Sequence, residues 1–283
     1  MNTVASPLKW HGGKSYLAAR IVAMMPAHTH YVEAYAGGLS VLLAKNPDGV
    51  SEVVNDLDGE LSAFWRVLQG EATYERFRRR MERTPFSERS YQEAVRGSDT
   101  IRGCFGKGYG VVGDAEFMAA CHFFVRCRQS LAGRMEAFAP LSRNRTRRGM
   151  NEQASAWLSA VEGLPAVHAR LKRVVVLNRD ALDVIRQQDG PNTLFYADPP
   201  YCHSTRATTK EYGEHEMSDD MHAALLGVLG AVKGRFILSG YRCDLYDAAA
   251  LKYGWKREDI EIANNSAGGT KKRRMIESLW MNY

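Results

Sequence analysis

Short apolar segments alternate with segments of helical length along most of this 283-residue chain. The apolar segments predict strands at 31–35, 53–55, 173–177, 193–197, 235–239, 257–263 and 274–282. The intervening segments predict helices at 16–25, from 40, from near 58, and at 153–171, 180–188, 218–233 and 244–253. Because strands that alternate with helices usually pair in parallel, we expect an α/β fold built on a parallel sheet.

The alternation stops between residues 65 and 150, where strands are scarce and charges are dense. This stretch carries 17 Lys and Arg against 9 Asp and Glu, whereas the rest of the chain carries 21 against 23. A basic block on a neutral body fits a polyanionic partner. The alternative is a solvated helical surface, on which arginines such as Arg76 and Arg80 face water. We therefore predict an α/β domain, 1–64 and 151–283, interrupted by a mainly helical insertion.

Composition limits the setting in which the chain works. The five cysteines form no C-x-x-C pair, so reduced thiols and no zinc site are expected. No apolar run has the length of a membrane span, and the amino terminus lacks the pattern of a signal peptide. We expect a cytoplasmic protein that binds no metal and no membrane.

The sequence Asp-Pro-Pro-Tyr at 198–201 follows the apolar run 193–197, which predicts a buried strand. Prolines hold the backbone extended, so Asp198 and the Pro199 carbonyl could accept two hydrogen bonds from one amino group. Pro200 keeps the turn rigid, and Tyr201 could stack on the ring that carries the amine. This arrangement suits an exocyclic amine on a base taken out of its helix. The alternative is an ordinary turn in which the acid is a local cap.

Further polar residues follow the other predicted strands, and ligands of open parallel sheets bind at such strand ends. Residues 33–38 predict a glycine turn after the first strand, where the backbone can approach a ligand closely, although such a turn as often serves packing alone. Asp56 ends the second strand and suits the hydroxyls of a ribose. Asp58 is a candidate helix cap. Asp180 either accepts from an adenine amino group or caps the helix that follows it.

Three basic segments are candidate contacts for anionic groups. At 8–14, lysines beside glycines could meet a carboxylate and Trp10 offers a stacking face, unless the segment is a flexible arm. The segment 143–148 and the glycine turn at 268–274 carry clustered cations that suit phosphates. For 268–274 the alternative is a solvated turn. The polar stretch 202–217 either closes over an extruded nucleotide or is a disordered loop.

Taken together, these motifs resemble the DNA adenine-N6 methyltransferases of the Dam type, and more closely their bacteriophage-encoded relatives. The resemblance includes segments 8–14, 33–40, 55–56, 198–201 and 268–270 in family order, and so covers nearly the whole chain. That order, with the cofactor motifs first and the catalytic tetrapeptide after the insertion, is similar to the family's alpha arrangement. Leu39 stands where the family's turn usually has a second glycine, and the insertion shows no alignable GATC-reading sequence.

The resemblance implies a Rossmann-like S-adenosylmethionine-dependent methyltransferase fold with an antiparallel last strand. It implies methyl transfer to N6 of a flipped-out adenine in double-stranded DNA by a monomer, within phage or bacterial DNA modification or restriction-modification. The insertion corresponds to the target-recognition domain. Alternatives are a cytosine-N4 or RNA adenine methyltransferase, or a catalytically silent DNA-binding relative.

The predicted site residues fall into three groups. The catalytic residues are Asp198, Pro199, Pro200 and Tyr201. The residues predicted to bind S-adenosylmethionine are Trp10, Lys14, Glu33, Tyr35, Ala36, Gly37, Asp56, Asp180 and Asp198. The residues predicted to bind DNA are Lys9, Arg128, Arg143, Arg145, Arg147, Arg148, His203, Arg206, Lys271, Lys272 and Arg273.

Overall fold

The computed structural model describes residues 4–10, 12–102, 113–139, 144–205, 216–263 and 274–283. The strands are β1 His30–Glu33, β2 Ser51–Asn55, β3 Thr146–Arg147, β4 Met150–Asn151, β5 Val174–Leu177, β6 Thr193–Ala197, β7 Arg235–Gly240, β8 Lys256–Ala263 and β9 Arg274–Met281. The helices are α1 Ala18–Met24, α2 Ser40–Ala44, α3 Gly59–Gln69, α4 Glu71–Glu82, α5 Glu88–Arg102, α6 Asp114–Gln129, α7 Glu152–Glu162, α8 Leu164–Leu171, α9 Ala181–Gln188, α10 Asp219–Leu229 and α11 Asp244–Tyr253.

The chain forms two compact units, each assembled from three segments. The first comprises Met1–Met24, Gly37–Asp48 and Asp58–Asn178, and the second comprises Met25–Ala36, Gly49–Leu57 and Arg179–Tyr283. The domain boundaries expected at 64/65 and 150/151 stay a prediction.

The second unit contains a mostly parallel sheet. Six of its strands lie in the order β2-β1-β6-β7-β9-β8. Strands β2, β1, β6 and β7 pair in parallel, whereas β9 runs antiparallel to both β7 and β8. This arrangement confirms the predicted α/β, Rossmann-like methyltransferase fold with an antiparallel last strand.

Strand β6 lies at the centre of this sheet. All five of its residues, Thr193–Ala197, are buried, and β1 pairs with it along one edge and β7 along the other. Strands buried on both faces are apolar throughout rather than alternating, which explains the continuous run in the sequence. The same position places the residue after Ala197 in the middle of the carboxyl edge.

The first unit is built around aromatic side chains on its helices. Phe64 of α3 stacks on Phe124 of α6 with ring centroids 5.5 Å apart, and Phe77 of α4 packs edge-on against both. Trp157 of α7 packs on Phe124 and donates from its indole nitrogen to the Thr84 carbonyl at 2.9 Å. The stretch 65–150 is mainly helical where it is described, with the short β3–β4 hairpin near its end.

One predicted helix, at 153–171, is instead two helices. Gly163 ends α7, and Pro165 lies in the first turn of α8, where its missing N–H breaks no helical hydrogen bond. The apolar pattern continues through the junction because both helices bury their apolar residues. No described helix combines the length and the apolar character needed to cross a bilayer.

Candidate active site

The tetrapeptide Asp-Pro-Pro-Tyr leaves the sheet at the carboxyl end of β6. On one side Tyr196 is paired with Glu33 of β1, and on the other Ala197 is paired with Leu238 of β7. Asp198 is half-buried and Pro199 is buried. The tetrapeptide therefore lies between two neighbouring parallel strand ends, at the kind of edge where α/β sheets bind their ligands.

Tyr201 is held by a carboxylate. Its hydroxyl donates to Oε1 of Glu277 at 2.5 Å and lies 3.4 Å from Oδ1 of Asp198. Its ring meets Tyr241 edge-on, with centroids 4.6 Å apart. The hydrogen bond to Glu277 and the ring contact with Tyr241 thus hold the Tyr201 side chain in place beside Asp198, the predicted catalytic acid.

Glu277 is the residue of this site that the sequence did not reveal. It lies on β9, is only 1% exposed, and accepts hydrogen bonds from Tyr201 and, at 2.7 Å, from the Ser239 hydroxyl. A carboxylate this deeply buried is costly unless its oxygens are hydrogen-bonded. The available signal was an acid within the mostly apolar segment 275–280.

Several carboxylates surround the phenol of Tyr196. Burial raises the pKa of Tyr196 well above its ordinary value, and the negative charges of Asp198, Glu33 and Glu277 raise it further. Glu33 itself is buried and accepts a hydrogen bond from the Tyr31 hydroxyl at 2.7 Å. The carboxyl ends of β1 and β6 therefore form an acidic environment.

The acidic environment continues beside Tyr35. Burial raises the pKa of Tyr35, and the nearby charges of Asp180 and Asp56 add to the shift. Burial also raises the pKa of Tyr246, with contributions from Tyr35 and Asp198 among its neighbours. Because β1 pairs in parallel with both β2 and β6, the residues that follow these three strands lie at the same edge of the sheet.

Asn55 holds two of these segments together. Its side-chain amide donates to the carbonyls of Ala34 at 3.1 Å and Arg179 at 3.0 Å, and its oxygen accepts from the Arg179 backbone N–H at 3.0 Å. Its own carbonyl accepts from the N–H of Ala36 at 2.8 Å. Asn55 is fully buried, so it fixes the backbone around Ala36, Asp56 and Asp180.

Two of the acids are helix caps. Asp180 accepts at Oδ1 from the backbone N–H groups of Leu182 and Asp183, at 2.8 and 3.2 Å. Asp58 caps α3 in the same way, as the sequence suggested. The cofactor role of Asp180, which is exposed, stays a prediction beside its observed capping role.

In the first unit, the glycine turn lies against Trp10. A Cβ atom added at Gly37 would lie 2.6 Å from Nε1 of Trp10, and one added at Gly38 would lie 2.8 Å from Cβ of Trp10. The Gly37 carbonyl accepts from Nε1 of Trp65 at 3.2 Å. Trp10 is therefore packed against a turn that requires glycine, which argues against a flexible arm.

Two other residues of these motifs are also well fixed. Lys14 is buried, and its Nζ donates to the Gly12 carbonyl at 3.1 Å. Leu39 is buried and adopts φ 52° and ψ 28°, a left-handed conformation that favours glycine. The turn therefore keeps the backbone shape expected for glycine although this chain has leucine there.

Two residues predicted to bind DNA are directed at the protein itself. Nζ of Lys9 donates to the Arg128 carbonyl at 3.3 Å, and Nη2 of Arg128 donates to the Ala156 carbonyl at 2.5 Å. Burial lowers the pKa of both side chains, and the charge of Arg128 further lowers that of Lys9. In this conformation both cations stabilise the packing of the first unit.

The arginines in and beside the β3–β4 hairpin differ in how far they are paired with acidic side chains. Arg145 is 79% exposed and lies 3.9 Å from Glu152, and Arg147 is exposed. Arg148 forms two hydrogen bonds with Glu162, at 2.9 and 3.0 Å. The carboxylate of Glu162 therefore largely neutralises the charge of Arg148.

The remaining predicted DNA contacts are mostly outside the described part of the chain. His203 lies 3.8 Å from Glu216. Outside the described residues are Arg143, Arg206, Lys271, Lys272 and Arg273, together with most of the stretch 202–217.

The first unit also carries a basic groove that the predicted residue set did not include. It has a volume of about 560 Å³ and is lined by residues of α4 and the turn after it: Ala72, Glu75, Arg76, Arg79, Arg80, Arg83 and Thr84. Arg76 forms an ion pair with Asp114 at 2.5 Å. Within the described ranges, Arg79, Arg80 and Arg83 are exposed and have no ion-pair partner.

An open, mostly parallel sheet with acidic strand ends is typical of domains that bind nucleosides or nucleotides. Comparison with known families shows which reaction this protein catalyses. A sequence model of the D12 class N6 adenine-specific DNA methyltransferases matches residues 10–261, and the chain belongs to this family. The protein is therefore an enzyme that methylates N6 of adenine in DNA, with S-adenosylmethionine as methyl donor. A search of curated proteins finds no match.

The residues at the strand ends fit this cofactor. S-adenosylmethionine carries a sulfonium, an ammonium, ribose hydroxyls and an adenine amine, which are cations or hydrogen-bond donors. The second unit supplies acceptors for such groups in Glu33, Asp56, Asp180 and Asp198. In the described ranges, no group of three or more His, Cys, Asp and Glu side chains could hold a metal ion.

Proposed function

We propose that this enzyme methylates an adenine flipped out of double-stranded DNA, with Asp198 as the residue that binds the reacting amino group. The observation that carries the proposal is the position of Asp198, half-buried between the ends of β1 and β7. A base inside a duplex cannot reach such a position, so the target nucleotide must leave the stack.

Asp198 and the Pro199 carbonyl would accept the two hydrogens of the adenine amine. The lone pair of this nitrogen is delocalised into the ring, which makes it a poor nucleophile. Two acceptors favour a pyramidal nitrogen whose lone pair is available for attack. The cofactor supplies an electrophilic methyl group on its sulfonium when it is bound.

Glu277 acts on this arrangement as a positioning residue. It fixes the Tyr201 hydroxyl, which lies 3.4 Å from Asp198. The ring of Tyr201 can then offer a stable stacking surface to the extruded base, an interaction worth roughly 1–3 kcal/mol. Because Glu277 also accepts from Ser239 on β7, the tetrapeptide is tied to β7 and β9.

The cofactor is assigned to the acidic strand ends of the second unit. Asp56 would accept hydrogen bonds from the ribose hydroxyls, and Asp180 from the adenine amine of the cofactor. Glu33, Tyr35 and Ala36 line the same edge. The cofactor roles of Trp10, Lys14 and Gly37 stay predictions from the family resemblance.

DNA backbone contacts are assigned to exposed arginines of the first unit. Arg145 and Arg147 of the hairpin, and Arg79, Arg80 and Arg83 of the basic groove, present charges that suit phosphates. We further propose that the enzyme acts as a monomer on intracellular DNA, in a bacterium or a phage-infected cell.

The proposed function is tested by nucleoside analysis. Unmethylated duplex DNA, its separated strands and RNA of the same sequence are incubated in separate reactions with enzyme and S-adenosylmethionine, digested, and analysed by mass spectrometry. We expect N6-methyladenine in the duplex sample. N4-methylcytosine as the main product, or methylation of RNA in preference to duplex DNA, would overturn the proposal.

A further inference from the structure

Two thiols touch immediately beside the catalytic tetrapeptide. Cys202 follows Tyr201 directly, and Cys243 is the residue before α11, at the N-cap position. Their sulfur atoms lie 3.6 Å apart, within a thiol–thiol hydrogen bond. Cys202 is buried and Cys243 is half-buried, so a small solute reaches Cys243 more easily than its neighbour.

The surroundings of Cys243 favour its thiolate. The contact with the Cys202 sulfur and hydrogen bonds from the backbone amides of Tyr246 and Leu245 lower the pKa of the Cys243 thiol to about 7, against the opposing effect of burial. The same contact raises the pKa of Cys202, which stays protonated. A thiolate next to a protonated thiol is the pairing expected of a reactive cysteine and a resolving cysteine.

The other described cysteines have the opposite character. Burial raises the pKa of Cys121 to about 12 and that of Cys127 to about 11. Both are therefore protonated at neutral pH and shielded, and they serve as internal controls for reactivity. Cys104 lies outside the described residues.

We propose that Cys243 and Cys202 form a modification site for hydroperoxides, at which the two thiols are oxidised reversibly to a disulfide. The Cys243 thiolate attacks the terminal peroxide oxygen, the O–O bond breaks, and a sulfenic acid and an alcohol or water result. The Cys202 sulfur then attacks the sulfenic sulfur, the S–O bond breaks, and water leaves with the Cys202 proton. The peroxide is the two-electron oxidant, and an added dithiol restores both cysteines.

The disulfide would alter the methyl-transfer site. A disulfide has an S–S length of about 2 Å, so the sulfurs must approach by more than 1 Å from their present contact. Because Cys202 is bonded to Tyr201, this movement displaces the residue whose hydroxyl joins Glu277 to Asp198. Oxidation therefore lowers methyl transfer, a consequence that rests on the proposed role of Asp198 and Tyr201.

The chemical step is tested first, without any activity assay. The Cys104→Ser protein is treated with hydrogen peroxide and then unfolded, its remaining thiols are alkylated, and its peptides are mapped. We expect a linked peptide containing Cys202 and Cys243, alkylated Cys121 and Cys127, and loss of the link after dithiothreitol. Absence of that peptide, or equal oxidation of Cys121 and Cys127, would overturn the inference.

Matched variants separate the two cysteines. Cys202→Ser should stop at a Cys243 sulfenic acid that a dimedone probe traps, whereas Cys243→Ser should form neither this adduct nor a disulfide. Dimedone labelling of Cys202 in the Cys243→Ser protein would contradict the assigned order.

The effect on the enzyme is measured last, on the same samples. Peroxide should abolish methyl transfer by the Cys104→Ser protein, dithiothreitol should restore it, and Cys243→Ser on that background should keep its activity in peroxide. A complete disulfide with unchanged methyl transfer would overturn the coupling to the active site. An inactive reduced enzyme would instead count against the proposed function alone, since the disulfide is detected independently.

Discussion

Tyr201 and Glu277 are joined by a 2.5 Å hydrogen bond, although they lie 76 residues apart in the chain. Tyr201 ends the tetrapeptide that contains Asp198, and Glu277 is buried on the antiparallel strand β9. The bond therefore connects the segment proposed to bind the target base with the last strand of the sheet. It gives that strand a direct part in the geometry of the active site.

Glu277→Gln should lower kcat by roughly 10-fold or more and change KM for DNA little. The substitution keeps the side-chain size but removes the charge from a hydrogen bond of the kind worth about 1.5–3 kcal/mol. Steady-state kinetics measure the split between kcat and KM. Glu261→Gln, on the exposed face of the neighbouring strand β8, is the control and should behave as wild type.

A double-mutant cycle tests whether Glu277 acts through Tyr201. If it does, Glu277→Gln should add little to the defect of Tyr201→Phe, because residues in one hydrogen-bonded network are not additive. Fully additive losses in kcat would show that Glu277 acts on the reaction independently of Tyr201.

Replacing Arg79 and Arg83 together by Ala should weaken DNA binding and its salt dependence. Each lost phosphate contact lowers the slope of log K against log salt by about 0.9 for duplex DNA. The slope is measured by fluorescence anisotropy over a range of salt concentrations. The charge-matched control is Arg89→Ala with Arg173→Ala, since both of these arginines are exposed but paired with acids. Equal slopes for the two double variants would exclude the basic groove from the interface.

Within the β3–β4 hairpin, Arg147→Ala should weaken DNA binding more than Arg148→Ala does. Arg147 is exposed, whereas the Arg148 guanidinium is engaged by Glu162 at 2.9 and 3.0 Å. Each variant removes one positive charge, and the two arginines are adjacent in the chain. Each variant therefore serves as the control for the other in anisotropy titrations. A larger loss for Arg148→Ala would mean that DNA binding breaks its pairing with Glu162.

Leu39→Gly should be more stable than Leu39→Ala by about 1 kcal/mol, although both should be less stable than the wild type. Both variants lose a buried leucine side chain, typically at a cost of about 2–5 kcal/mol. Only glycine relieves the left-handed backbone at this position, which costs other residues roughly 1–2 kcal/mol. Urea denaturation measures the free energy of unfolding of the two variants and of the wild type. An alanine variant as stable as the glycine variant would show that the turn changes its backbone conformation.

The segments at the centre of the candidate site could be recognised in the sequence because local signals coincide there. The apolar run of β6 could be recognised as a buried strand, and the prolines after it limited the backbone of the tetrapeptide. Asp56 and the glycine turn likewise follow directly from strand ends. Such features depend on neighbouring residues and are therefore visible in a single sequence.

The contacts that join distant segments could not be predicted in this way. Glu277 reaches Tyr201 only because β9 inserts between β7 and β8. The role of Asp180 could not be decided from the sequence. A helix cap and an acceptor for a ligand both require an acidic residue at this strand end. Lys9 and Arg128 are predicted to bind DNA, but their hydrogen bonds to backbone carbonyls depend on how α6 packs, which the sequence does not show.

The central claim is that the Asp198 carboxylate binds the reacting amino group, and Asp198→Ala tests it most directly. Methyl transfer to duplex DNA and DNA affinity are measured for this variant beside Asp183→Ala, which removes an acid from an exposed ion pair on α9. We predict that Asp198→Ala abolishes N6-methyladenine formation while it still binds DNA, and that Asp183→Ala retains both. Near-normal methylation by Asp198→Ala would contradict the account.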